Sequence, residues 1–160
     1  MTDLQPLGGA PGRRPDRVLE IALPWTKPPL SLNDGGASRQ AMFSKAKTIQ
    51  EVRATIVDLM AHHQVPTGAE YARVQLHYLP ADNRRRDTDN CVATLKPICD
   101  AIAAGTTRDP GYGVVEDDTP VFMAKPEPII YHRPPKTPPR LWITLQIWNP
   151  KPRLRAGLLP

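Results

Sequence analysis

Tyr71-Ala-Arg-Val-Gln-Leu-His-Tyr-Leu79 runs through a short bend into Asn83-Arg-Arg-Arg-Asp-Thr-Asp-Asn90. In the first half Val74, Leu76 and Tyr78 fall on one side and Arg73, Gln75 and His77 on the other, the period of two that marks a strand. In the second half three consecutive cations precede two carboxylates spaced one residue apart. Arginines attract phosphate, whereas Asp87 and Asp89 on a shared face repel each other unless a cation sits between them. A divalent ion and a phosphate backbone satisfy both halves. So does a solvated loop in which Arg84, Arg85 and Arg86 pair with Asp82, Asp87 and Asp89.

Downstream, Val92, Leu95, Ile98, Cys99 and Ile102 keep helical spacing up to Gly105. Pro97 interrupts that pattern, and a proline costs about 3 kcal/mol in a helix interior, so the regular helix is expected from near Thr94 with a looser turn before it. Val114-Val115-Glu116-Asp117-Asp118 then places three adjacent acids after two β-branched residues, which calls for a nearby cation of some kind. Val121 to Lys125 and Leu141 to Trp148 read as the last strands. Pro126, Pro128, Pro134, Pro135, Pro138 and Pro139 make the segment between them an extended loop, unable to pair as a central strand.

Upstream, Val18 to Pro24 reads as the first strand, and Thr26 to Ser38 as a loop with Lys27 and Asn33 as polar candidates for ligand contact. Ser44 to His63 is the clearest helix, with Ile49, Val52, Ile56, Leu59 and Met60 on its apolar face and Lys45, Lys47 and Arg53 elsewhere. His62 and His63 suit the helix C-terminus, where a protonated imidazole complements the dipole.

At 160 residues the chain fits one domain. Residues 1–16 and 150–160 are expected to be a disordered arm and tail around a body of residues 17–149. With 21 Lys+Arg against 16 Asp+Glu, the net charge of +5 favours a polyanionic partner. No apolar run is long enough for a membrane span, and the start lacks a signal-peptide pattern, so a cytoplasmic protein is expected. Cys91 and Cys99 lack a CxxC or histidine companion and read as small buried apolar residues.

Asp87 and Asp89 beside a helix, with Asp117 and Asp118 at a separate corner, offer the oxygen-only donor set that Mg²⁺ or Mn²⁺ prefers. An EF-hand is excluded, because the twelfth position counted from Asp87 is Ile98 rather than glutamate. Arg84-Arg85-Arg86-Asp87-Thr88-Asp89-Asn90, Lys96-Pro97-Ile98-Cys99-Asp100-Ala101-Ile102 and Glu116-Asp117-Asp118 together resemble the RusA-type Holliday-junction resolvases. The resemblance covers most of Val18 to Trp148.

It implies an α+β (mixed α/β) fold, with a small mixed β-sheet flanked by two main helices, in a homodimer found in bacteria, phages and prophages. It further implies Mg²⁺- or Mn²⁺-dependent paired nicking of four-way DNA junctions in the bacterial or phage-infected host cytosol. Asp87, Asp89 and Asp118 match the catalytic acids, which with Asp117 are the expected metal ligands, and Lys96 matches the catalytic lysine. Arg84, Arg85, Arg86 and Asn90, with Lys27, Asn33, Lys45 and Lys47, are the expected DNA contacts. The chain departs from the family at that lysine, which commonly follows the second aspartate by four residues. Here Ala93 stands at four and Lys96 at seven, an offset of about 4.5 Å along a helix and about 60° short of a full turn.

Overall fold

In chain order the elements are β1 (Arg17–Ala22), α1 (Arg39–His62), β2 (Tyr71–Leu79), α2 (Asp89–Ile102), β3 (Met123–Ala124), β4 (Ile129–Ile130) and β5 (Arg140–Trp148). They come from a computed structural model that describes residues 4–32 and 38–152; Asn33 lies outside the described residues. β2 and β5 pair antiparallel along their whole lengths, from Tyr71↔Trp148 to Leu79↔Arg140. β1 pairs antiparallel with the other side of β5, and β3 and β4 both pair parallel with the outer side of β2. The fold is thus α+β, with a mixed five-stranded sheet and two main helices.

Alternation decides which face is covered. Val74 and Leu76 lie opposite Leu145 and Ile143, which in turn lie opposite Leu19 and Ile21. That apolar row shares one core with Val52, Ile56 and Met60 of α1 and with Cys91, Leu95, Ile98, Cys99 and Ile102 of α2. Arg17 donates to the His63 and Gln64 carbonyls, satisfying groups that the end of α1 leaves unpaired.

Three expectations change. α1 starts at Arg39 rather than Ser44, because Ser38 Oγ accepts from the Ala41 N–H at 3.1 Å and caps the helix early. α2 runs unbroken from Asp89 through Pro97, not from Thr94. Burial of Cys91, Thr94, Leu95, Ile98 and Cys99 on both sides of the proline offsets its local cost. The strand expected at Val121 to Lys125 shrinks to two residues, since the Thr119 carbonyl accepts the N–H groups of both Phe122 and Met123 and holds that stretch in a turn.

The proline-rich segment pairs only as the two-residue β4 at the sheet edge. Arg13 and Asp16, assigned from sequence to the N-terminal arm, bond to each other; Arg13 also bonds to Glu70, and the Arg13 carbonyl accepts from Trp148 Nε1. Among the described residues no helix is long and apolar enough to cross a membrane.

Candidate functional site

Leu79 ends β2 and Asp89 begins α2, so the charged stretch is a connection between two elements anchored in the core. Asp82 organises it. Its Oδ1 accepts from the Arg84 backbone N–H at 3.0 Å, Arg84 Nε at 3.1 Å and an Arg86 nitrogen at 2.7 Å. The Arg84 N–H and then the Arg86 guanidinium hold the Asp82 carboxyl at about 2. Arg86 also donates to the Asp82 and Arg84 carbonyls and lies over the Tyr78 ring.

The three arginines therefore differ. Arg86 fixes the bend, whereas Arg85 lines a concavity of about 330 Å³ together with Lys27, Arg86, Asp87 and Asn90. The loop carrying Lys27 is held there by Leu30, whose N–H donates to buried Thr94 Oγ1 on α2 and whose carbonyl accepts from the same hydroxyl.

Asp87 accepts from the Asp89 N–H at 3.2 Å. This closes the turn into α2, where Thr88 makes no side-chain cap bond. The Thr88 hydroxyl instead donates to Glu127 Oε1 at 2.9 Å. Glu127 thus stands beside the acidic pair, a neighbour that its Pro-Glu-Pro setting concealed in the sequence.

Asp118 reaches α2 from the other end. Val114 and Val115 are buried, and the Val114 N–H donates to the Ile102 carbonyl, so the chain doubles back along the end of the helix. Gly111 makes that return tight enough that a Cβ there would run into the Ala103 carbonyl. Asp118 then lies 2.9 Å from Lys125 Nζ and 3.3 Å from Lys96 Nζ, and Lys96 is 2.8 Å from Asp100.

Arg53 of α1 approaches Asp100 at 3.9 Å, so positive and negative groups alternate from Lys125 to Arg53. Burial pushes the Asp118 carboxyl up, but Lys125, then Lys96 and Asp100, outweigh it and hold it well below the usual carboxylate range. Lys96 is held up chiefly by Asp100, against the effect of burial. Asp117 is exposed and accepts from the Asp118 N–H.

The fold therefore divides the expected site residues. Asp87, Asn90, Arg85, Arg86 and Lys27 gather at the start of α2, and Asp118 and Lys96 meet further along it. Asp89 and Lys96 are seven residues apart on α2, about 10 Å of rise. Lys45 and Lys47 lie in the first turns of α1. Among the described residues no three Asp, Glu, His or Cys side chains converge as a metal-holding group. Cys91 and Cys99 are buried, which pushes their thiols up to about 11 and about 12.

Sequence reasoning missed Lys125 as well as Glu127. Both belong to the proline-rich segment, which runs as a strap from Lys125 on Asp118 to Glu127 on Thr88. It continues through Ile129–Ile130 on β2 to Tyr131 on His77 at 2.8 Å and Arg133 on Asn83 at 2.7 Å. The only signal for these two residues is charge set among prolines. No protein-family model matches this chain, and no curated protein sequence matches it.

Proposed function

We propose that this chain is a divalent-metal-dependent, structure-selective endodeoxyribonuclease that resolves four-way DNA junctions as a homodimer, in the manner of the RusA-type resolvases it resembles. The bacterial or phage-infected host cytosol is the corresponding compartment. The observation that carries the reading is the 3.3 Å contact between Lys96 and Asp118. It joins two separated parts of the motif on the helix that leaves the Asp87–Asp89 turn.

Mg²⁺ commonly keeps several waters and binds through one or two carboxylates plus substrate phosphate oxygens, so Asp87 and Asp89 fit such an ion without a closed cage. When bound, the ion would activate water and polarise the phosphoryl group. The chain's own residues supply the rest. Lys27, Arg85 and Asn90 draw the DNA backbone to the start of α2. Lys96 and Lys125 offer positive charge where the leaving oxygen develops negative charge. Asp118 holds both ammonium groups in place.

The Asp89→Asn variant should bind a synthetic four-way junction as the parent does, yet lose Mg²⁺-dependent cleavage by about 100-fold or more. Full activity in that variant would sink the assignment. Junction, fork and linear substrates incubated with Mg²⁺, Mn²⁺ or EDTA decide the class, with symmetric paired nicks confined to the junction as the expected result. A second reading, a DNA-binding protein without catalysis, is favoured by the two lysines that already neutralise Asp118. It expects junction binding with no nicking under any metal.

A further inference from the structure

The first half of α1 stands apart from the core. From Arg39 to Glu51 no residue is buried, whereas Val52, Ile56 and Met60 are. Two large apolar side chains nevertheless sit on that projecting end, Met42 at 65% exposure and Phe43 at 69%. Arg39 and Lys47 lie four residues before and after Phe43, so the three share one ridge of the helix, and Lys45 lies three residues after Met42. Residues 39–50 hold those three cations and no acid.

Resting on the nuclease reading above, we propose that Met42 and Phe43 form a wedge that enters between base steps of branched DNA, while Arg39, Lys45 and Lys47 hold the flanking phosphates. Phenylalanine and methionine are side chains that kink duplexes by partial insertion, and the energetic return comes from extra backbone contact. The patch's charge selects its occupant. A second copy placed on this surface would set three cations against three cations with only Glu51, at the far end of the ridge, to offset them, whereas DNA supplies negative charge along its full length.

The placement also suits cleavage. Phe43 is ten residues, about 15 Å of helix, from Arg53, whose guanidinium approaches the Asp100 that pairs with Lys96. A wedge at the branch point would thus lie on the helix that carries Arg53 to the Asp100–Lys96–Asp118 chain of charges.

The test uses the full chain in EDTA, so that binding is read without cleavage, with a four-way junction carrying 2-aminopurine at the branch. The parent should bind it and raise its fluorescence by unstacking the base. Combining Met42→Ala with Phe43→Ala should abolish that rise and weaken junction binding about tenfold, with linear-duplex binding and Tm unchanged. Lys47→Ala should weaken junction and duplex alike and lower the salt dependence.

Parent-like fluorescence and affinity in the double variant would overturn the wedge alone, leaving the nuclease reading intact. A shift of the double variant from dimer to monomer in sedimentation would overturn it in favour of a subunit contact. Failure of the parent to bind any DNA would overturn both proposals.

Discussion

Asp118 shows how one carboxylate can be fixed by two cations from different parts of the chain, Lys96 on α2 and Lys125 after β3. Lys125 is the nearer partner and the less exposed, at 32% against 66% for Lys96. Lys125→Met should therefore raise the Asp118 pKa more than Lys96→Met, because burial then acts with less opposition. Carboxyl NMR titration reads this directly, and an unchanged Asp118 in Lys125→Met would show that Lys96 alone holds it. The sign for stability follows from linkage. A depressed carboxyl contributes above its unfolded pKa of about 3.9, and the contribution fades as pH falls through the folded value. Lys125→Met should thus flatten the acid limb of the stability profile. The acids themselves were legible as a pattern, but their partners were not. Lys96 meets Asp118 only because Val114 and Val115 are buried and turn the chain back, a tertiary event that spacing does not encode.

At the scale of elements, α1 is a helix whose two halves have different supports. The second half is packed, while the first depends on its own backbone bonds and on the Ser38 cap. Ser38→Ala should cost about 1 kcal/mol in local helix stability, and the loss should stay local. Hydrogen exchange at residues 39–45 is expected to accelerate while the Tm barely moves; a Tm fall with uniform exchange would instead mean that the projecting half is coupled to the core. The same distinction explains what sequence could reveal. Tyr71–Leu79 is readable to the residue because burial alternates from Ala72 to Leu76, although Leu76 to Leu79 is buried without a break. The start of α1 lacks an apolar stripe to announce it, so periodicity places the helix from Ser44 although it begins at Arg39. At Pro97, a propensity rule that counts local cost underestimated the burial around it.

For the molecule as a whole, one core joins the sheet to both helices, and Cys91 and Cys99 sit inside it. With Cys91 near 11, about one thiol in a thousand is ionised at pH 8. Thiol reagents should label the native protein slowly and label both cysteines together once denaturant unfolds it. Rapid labelling of Cys99 under native conditions would reveal local opening of α2. The outer edge of β2 carries a further consequence for solution behaviour. It is met by two separate two-residue strands, with Lys125, Pro126, Glu127 and Pro128 between them. Short, charged, proline-interrupted edges resist pairing with another chain's backbone. Aggregation by edge-to-edge strand addition is thereby discouraged on that side of the sheet, and colloidal protection becomes a task of the strap alongside its contacts to Asp118 and Thr88.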